Sequence, residues 1–168
     1  MVKEEVQQLV NYLIGIEHLS TTLYLAMSAY LDREDYTGMA KWLRLQSNEE
    51  RTHMLMLIDY LAGKDGVVKL EEVPAQPSDF GTPLETFQKV LEHEQFVTNA
   101  YRQAYEYINP VDPQTGVIVQ DFLREQIDEE AQALTIVQRL KLASNNPAAL
   151  LVIDQELGQR QGGAVAPG

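Results

Sequence analysis

A single helical pattern runs through residues 6–31, which read VQQLVNYLIGIEHLSTTLYLAMSAYL. Apolar and small side chains recur there every three or four positions, which is the spacing of one face of an α-helix. Glu17 lies four residues after Leu13 and seven before Tyr24, so it falls on that apolar face. An unpaired carboxylate in the interior of a helix bundle costs several kcal/mol. The pattern therefore predicts a long helix over about residues 2–31 that carries a buried acid in need of a partner.

Three further segments repeat this pattern, and each has an acid in its apolar face near mid-length. The predicted long helices cover about residues 36–62, 82–108 and 116–143, and their inward acids are Glu50, Glu94 and Glu129. A short fifth helix is predicted over about residues 148–157, after a break at Asn145-Asn146-Pro147. Sustained alternation of period two is absent from the sequence, so the predicted fold class is all-α.

The connection over residues 63–81 is long enough to determine the topology. Fully extended, its 19 residues reach up to about 60 Å, which exceeds the length of a helix of about 27 residues. The second and third helices are therefore predicted to run parallel, in a four-helix bundle with one long crossover. Residues 67–70 (VVKL) are too apolar for a free loop, so they should pack on the bundle or pair with another subunit. Residues 1–157 are predicted to form one domain, and residues 158–168 a flexible tail.

The composition excludes several classes of function. The chain has 168 residues, with 25 acidic and 13 basic side chains and a formal net charge of −12, which disfavours nucleic acid and anionic lipid as partners. It contains no cysteine, which excludes disulfides, thiolate metal sites and cysteine nucleophiles. Its beginning lacks the apolar core of a signal peptide, and no stretch is long enough to span a membrane. We therefore expect a cytoplasmic protein that binds neither nucleic acid nor membrane.

The inward acids predict a metal site. Glu50 and His53 are three residues apart, so they share one helix face and can reach the same ion. Carboxylates with a single imidazole suit iron or manganese. An offset of 76 residues maps Glu50 onto Gln126 and His53 onto Glu129, which indicates two hairpins related by a pseudo-twofold axis with two metals between them.

The same residues are also compatible with other interpretations. A lone Glu-x-x-His is common by chance in a chain with 25 acids, and it then belongs to a solvated face. Tyr24 is either plain core or a hydroxyl that bonds a ligand carboxylate. His18 and His93 are surface groups or lie beside the centre without binding its ions. The neighbouring acids are either surface groups or a third cation site or exit path on the inner face of an assembly; they are Glu49, Glu125, Asp128 and Glu130.

Taken as a set, these motifs resemble the non-haem ferritins of bacteria and cyanobacteria. The motifs are Glu17 with Tyr24, Glu50-Arg51-Thr52-His53, His93-Glu94-Gln95, and residues 125–130 (EQIDEE). The resemblance covers about residues 1–157 and implies a ferritin-like bundle with a short fifth helix. It also implies a homo-oligomeric shell of 24 subunits. Each subunit would have a ferroxidase centre that binds two Fe(II), reduces O₂ or H₂O₂, and delivers Fe(III) to a stored mineral.

The resemblance also implies roles for individual residues. Glu17 and His53 would bind the first iron, Glu94 the second, and Glu50 would bridge them. Five more residues receive roles by the same comparison. Glu129 or Glu130 would be a further ligand of the second iron or of a third one, and Glu49 would lie at that third position. Gln126 would lie near the open coordination position, and Tyr24 would be an electron donor or a positioning group. Haem is not expected, because Arg51 stands where haem-binding relatives have a methionine and the second Glu-x-x-His is missing.

Two other functions are compatible with the sequence. One is a di-iron peroxidase or oxygenase of the same superfamily, which usually lacks the fifth helix and the shell. The other is a non-catalytic helical-bundle binding protein whose acids are solvated. The first is distinguished by particle size, and the second by whether metal raises the stability of the fold.

Overall fold

The computed structural model describes residues 2–162, which form five helices and no strand. The helices are α1 (Glu4–Arg33), α2 (Thr37–Gly63), α3 (Pro83–Ile108), α4 (Pro113–Ala143) and α5 (Pro147–Leu157). The predicted all-α fold with four long helices and a short fifth is confirmed. Within residues 2–162, no helix is long and apolar enough to cross a membrane.

Local sequence signals explain where the helices begin. The Thr82 side chain accepts a hydrogen bond from the backbone of Glu85, whose side chain accepts one from the backbone of Thr82, forming a capping box at the start of α3. Helix α4 begins at Pro113, three residues before the predicted start at Gly116. The reason is that proline at the first helical position is already fixed in a helical φ, whereas the apolar periodicity becomes visible only one turn later.

The crossover travels the length of the bundle, as predicted. It lies against the beginning of α1, where the Val67 backbone N–H donates to the Gln7 side chain (2.7 Å) and the Lys69 N–H donates to Asn11 (2.7 Å). It ends near the other end of α1, where Tyr30 donates to the Gly81 carbonyl (2.7 Å). Helices α2 and α3 therefore start at the same end and run parallel. Residues 67–70 contact the bundle through these backbone hydrogen bonds and through Val68, which packs against the apolar core at that end.

The core consists of two apolar clusters at opposite ends of the bundle. One contains Tyr24, Leu43, Phe87 and Val137, and the other contains Leu13, Leu57, Tyr101 and Phe122, among others. On every long helix, the inward acid falls in the gap between the residues of the first cluster and those of the second. The fold thus places a polar layer between two apolar ones.

Helix α5 is held against the start of α2 by one carboxylate. Asp154 accepts hydrogen bonds from the backbone N–H groups of Gly38 (3.1 Å) and Met39 (2.8 Å), which are otherwise unsatisfied at a helix N-terminus. The two helices approach closely there, because a Cβ built on Gly38 would lie 1.8 Å from the Asp154 carbonyl oxygen. Only glycine fits at this contact.

Replacing Gly38 with alanine is expected to push α5 away from α2 and to lower the free energy of unfolding by at least about 1–3 kcal/mol, the usual cost of overpacking. Gly15→Ala is the matched control: it also lies in a helix, nothing lies within 4 Å of its added Cβ, and it should gain up to about 1 kcal/mol from helix propensity. Guanidinium denaturation of both variants measures the difference. Equal stability of the two would contradict the close contact.

Candidate metal centre

Four acids and one histidine, one or two from each long helix, meet in the polar layer between the two apolar clusters. Each is at most 7% exposed; they are Glu17, Glu50, His53, Glu94 and Glu129. This confirms that the acids point inward. The reading of Glu50 and His53 as part of a solvated face is wrong, because both side chains are buried.

The five side chains form two overlapping groups. Ligand atoms of Glu17, Glu50 and His53 lie within 4.8 Å of one another, and so do those of Glu50, Glu94 and Glu129. Glu50 belongs to both groups. His53 Nδ1 lies 3.1 Å from Glu50 Oε2 and 4.0 Å from Glu17 Oε2. The arrangement can hold two cations side by side with one shared carboxylate.

Two tyrosine hydroxyls each donate a hydrogen bond to a buried acid. Tyr24 donates to Glu94 Oε1, and Tyr101 donates to Glu17 Oε1. Burial and then the negative charge of these partners raise the pKa of both phenols well above 10, so both keep their protons. The predicted pairing of Tyr24 with an inward acid is confirmed. Tyr101 lies seven residues after Glu94 on the apolar face of α3, so the sequence alone predicts a core position for it and does not indicate its bond to Glu17.

Two glutamine amides complete the hydrogen bonding of the acids. Gln46 Nε2 donates to Glu50 Oε1 (2.9 Å) and to Glu129 Oε2 (2.7 Å). Gln126 Nε2 donates to Glu94 Oε2 (3.0 Å), as expected of a residue placed near the centre. Gln46 carries no charge that would distinguish it in the sequence, although it lies four residues before Glu50 and so shares its helix face.

Protons and one imidazolium balance most of the negative charge when no cation is bound. Burial, followed by the charge of Glu50, raises the pKa of Glu17 well above its usual value and that of Glu94 to about 8. The same two causes raise the pKa of Glu129 to about 7. Burial also opposes ionisation of Glu50, but hydrogen bonding and the charge of His53 outweigh it and lower its pKa. Glu50 is therefore the acid of the layer that is fully ionised at neutral pH, where Glu129 is ionised in part.

His53 connects the centre to the surface. Burial lowers its pKa, but the hydrogen bonds that the ring donates to Glu125 and Glu50 and the charges of Glu50 and Glu17 outweigh burial and raise the pKa to about 11. Its Nε2 lies 2.9 Å from Glu125 Oε2, and the Glu125 side chain is 52% exposed. His53 and Glu125 thus provide a polar route between bulk water and the buried acids.

The remaining candidates lie outside both groups. Glu49 forms an ion pair with Arg160 (2.7 Å), and Glu130 is half-buried on α4. His93 Nε2 contacts the Ser20 hydroxyl (2.7 Å), which agrees with a role beside the centre rather than as a ligand. A third cation position at Glu49 and Glu130 stays a prediction.

The donor set fits iron. Four carboxylates and one imidazole are hard and borderline ligands, which favour Fe(II), Fe(III) or Mn(II) over soft cations. One atom is also left without a partner: Glu17 Oε2 is buried and makes no hydrogen bond to any residue of the described range 2–162. A buried carboxylate oxygen without a donor is unfavourable, and a bound cation would satisfy it.

The raised pKa of Glu94 predicts how stability depends on pH without metal. The folded protein keeps the Glu94 proton up to about pH 8, whereas the unfolded chain releases it near pH 4.5. The stability contributed by this group is therefore complete below pH 4.5 and is lost as pH rises toward 8. Glu94→Gln should reduce the fall in unfolding free energy over this window by up to about 1.4 kcal/mol per pH unit. Denaturation at pH 5.5, 7 and 8.5 measures it.

The exposed neighbour Glu92 provides the control. Glu92→Gln should leave the pH dependence of the unfolding free energy as it is in the parent chain. If Glu94→Gln and Glu92→Gln have the same profile, the Glu94 carboxyl ionises normally inside the fold.

Comparisons with known proteins point to one family. Residues 7–143 match the ferritin-like domain. The bacterial non-heme ferritin of Bacteroides fragilis is 37% identical over 161 residues, which cover 95% of this chain and 100% of that protein. The non-heme ferritin of Campylobacter jejuni is 33% identical over 156 residues, or 92% of this chain and 93% of that one. The open-pore ferritin of the archaeon Archaeoglobus fulgidus has a TM-score of 0.92 at 36% identity, covering 96% of this chain and 100% of that one.

Proposed function

The chain belongs to the ferritin-like domain family, and on that basis we propose that it stores iron and oxidises Fe(II) at the buried acidic centre. The observation that carries the proposal is the sharing of Glu50 between two groups of buried ligands. A shared carboxylate holds two Fe(II) side by side, so that both can deliver an electron to the same oxidant.

Each residue of the centre then has a role. Glu17 and His53 bind the first Fe(II), Glu94 and Glu129 bind the second, and Glu50 binds both. Tyr24 and Tyr101 hold Glu94 and Glu17 in place through their hydroxyls, while Gln126 holds the second oxygen of Glu94. Glu49 and Glu130 are proposed as a third iron position, supported by their places directly beside Glu50 and Glu129.

Iron is the substrate, and the chemistry is electron transfer. Two Fe(II) supply two electrons. With two protons, these electrons reduce one O₂ to H₂O₂ or one H₂O₂ to two waters. Hard oxygen ligands favour the loss of these electrons because they stabilise Fe(III) over Fe(II). Protons leave Glu17, Glu94 and Glu129 when the cations bind, because only the carboxylate form is a ligand.

We also propose that the chain assembles into a cytoplasmic shell of 24 copies. Several large apolar side chains remain exposed on the single chain; they are Val67 and Leu70 on the crossover, and Leu142, Leu151 and Val152 near α5. Exposed apolar side chains grouped in this way mark surfaces that pack against other chains. The net charge of −12 attracts Fe(II) toward such an assembly.

The test combines oxidation with particle size. Anaerobic protein loaded with two Fe(II) per chain and exposed to air should oxidise the iron faster than buffer does and then accumulate a ferric core. Gel filtration should give a particle of about 460 kDa, which corresponds to 24 chains of 19.0 kDa. Fast oxidation by a small particle would instead indicate a di-iron peroxidase or oxygenase. Oxidation no faster than in buffer would exclude the proposed activity.

A further inference from the structure

The segment that follows α5, residues 158–162, lies along α2 (Thr37–Gly63) in the structure. Lys41 Nζ donates a hydrogen bond to the Gly158 carbonyl (2.9 Å), and Arg160 Nη1 contacts the Trp42 carbonyl (3.3 Å). Residues 158–162 belong to the predicted flexible tail. The rest of that tail, residues 163–168, lies outside the described range. We call residues 158–162 the strap.

Arg160 anchors the strap through three side chains of α2. Its guanidinium lies 4.6 Å from the centre of the Trp42 ring. Nη1 donates to Gln46 Oε1 (2.9 Å), and Nη2 donates to Glu49 Oε2 (2.7 Å). The Arg160 side chain is only 19% exposed. The planar fork of a guanidinium can stack on an aromatic ring and donate to two acceptors at once, which a lysine cannot do.

The contact with Gln46 reaches the buried acids. Gln46 is almost completely buried, and its amide nitrogen donates to both Glu50 and Glu129. An amide has one accepting and one donating end, and a guanidinium can only donate. Arg160 therefore keeps the oxygen of Gln46 on its own side and turns the amide nitrogen toward the two carboxylates. A chain of hydrogen bonds leads from the strap to Glu129 through a single side chain.

We propose that the strap is a positioning device for the second metal position, acting from Arg160 through Gln46 on Glu50 and Glu129. By holding one oxygen of each carboxylate, Gln46 sets the orientation of the other oxygen, which in Glu50 lies 3.1 Å from His53 Nδ1 and in Glu129 is left to face a cation. The inference rests on the proposed function, since it concerns the cation held by Glu50, Glu94 and Glu129. Within the described residues Gln46 contacts two ligands of the second position, Glu50 and Glu129, and only the shared Glu50 among the ligands of the first, so the strap should affect the second position more strongly.

A purely structural role for Arg160 predicts something different. A partly exposed ion pair such as Arg160–Glu49 contributes little to stability, and its loss would affect the whole fold slightly. A positioning role instead weakens one of the two metal-binding steps more than the other. Groups that orient a metal ligand without touching the metal typically change affinity by about 10–100-fold. The two roles are therefore separated by comparing the two binding steps.

The experiment is an anaerobic Co(II) titration of the full chain, followed by calorimetry and visible absorption. The buried centre of the parent protein should bind two equivalents. Arg160→Gln should bind the second equivalent about 10–100-fold more weakly and should weaken the first by a smaller factor, because only Glu50 is common to both positions. Arg160→Lys restores the charge beside Glu49 without the fork, so the second step should stay weakened. Arg139→Gln is the control, because it removes an arginine that pairs with Glu156 on the surface.

Two further measurements make the result decisive. Trp42 is the only tryptophan, so its fluorescence should change in Arg160→Gln and not in Arg139→Gln. Gln46→Met removes the amide but keeps the shape, and it should weaken the same second step. Combining it with Arg160→Gln should add little, because both act along one chain of contacts. This second variant also tests the inference if Arg160→Gln does not fold.

The outcomes separate this inference from the proposed function. If the parent protein binds no Co(II), the proposed metal centre is wrong. If it binds two equivalents and Arg160→Gln binds both with parental affinities, the centre stands and the positioning role of the strap is overturned. Full recovery by Arg160→Lys would also overturn it, because charge alone would then explain the effect.

Discussion

Replacing Glu50 with alanine is expected to abolish the rapid phase of Fe(II) oxidation. Glu50 belongs to both ligand groups, so its loss affects both iron positions at once. It is also the acid of the layer whose pKa is lowered, so it provides the negative charge that receives the first cation. Since losing a group that only orients a ligand costs about 10–100-fold in metal affinity or activity, losing the shared ligand should cost at least about 100-fold. Stopped-flow absorption after mixing with O₂ measures this rate.

Two companion variants separate chemistry from folding. Glu50→Gln keeps the size of the side chain but loses its charge, so it should be nearly as slow as Glu50→Ala. Asp59→Asn removes an exposed acid from the same helix and should oxidise Fe(II) at the parental rate. A rapid phase of normal amplitude in Glu50→Ala, with its circular dichroism unchanged, would contradict the shared-ligand assignment.

The helices and the inward acids could be predicted because burial in a bundle imposes a period that the sequence displays directly. Glu17, Glu50, Glu94 and Glu129 interrupt apolar stripes, and a charge in such a place is conspicuous. The crossover was predictable for a geometric reason, since only an extended chain of that length connects two parallel helices of a bundle. The apolar periodicity predicts a start of α4 three residues after Pro113, because the first turn contains no large apolar side chain.

The parts of the centre that were missed lack such a signal. Tyr101 fits an apolar stripe, so its hydroxyl bond to Glu17 is invisible without the partner helix. Gln46 is uncharged and equally suited to a surface. Arg160 lies outside the helical pattern and reaches Gln46 across 114 residues of sequence, so its contact depends on how α5 docks. Side chains that support ligands from other helices are determined by tertiary packing, which periodicity does not encode.

The second large effect is expected from Glu17→Gln, which should stabilise the metal-free protein and destabilise the metal-bound one. The amide oxygen can still accept the hydrogen bond from Tyr101. The amide nitrogen replaces Glu17 Oε2, the buried oxygen that makes no hydrogen bond within residues 2–162. Glu17 must take up a proton on folding at pH 8, because burial raises its pKa, whereas an amide needs none; unfolding of Glu17→Gln without metal at pH 8 should therefore require more denaturant.

The sign of this change follows from the raised pKa of Glu17. The folded protein holds the proton where the unfolded chain has released it, so this group contributes full stability near pH 4 and progressively less as pH rises. Glutamine does not titrate, and its advantage should therefore grow from about zero near pH 4 to its full value at pH 8. Glu5→Gln, an exposed acid on the same helix, should show no such growth.

Zinc should reverse the order of the two proteins. A cation that binds only the folded state stabilises it by about 2.7 kcal/mol per site at a concentration of 100 Kd. Glu17→Gln lacks a ligand of the first position, so it should lose most of the stabilisation that Zn(II) gives at that position. The parent protein and Glu5→Gln should keep it. Differential scanning calorimetry should then give the parent chain the lower melting temperature with chelator and the higher one with Zn(II), with each kcal/mol worth about 2–4 °C at this chain length. A variant that is less stable than the parent under both conditions would mean that the Glu17 carboxylate stabilises the bundle by itself, and that no cation is needed to explain its burial.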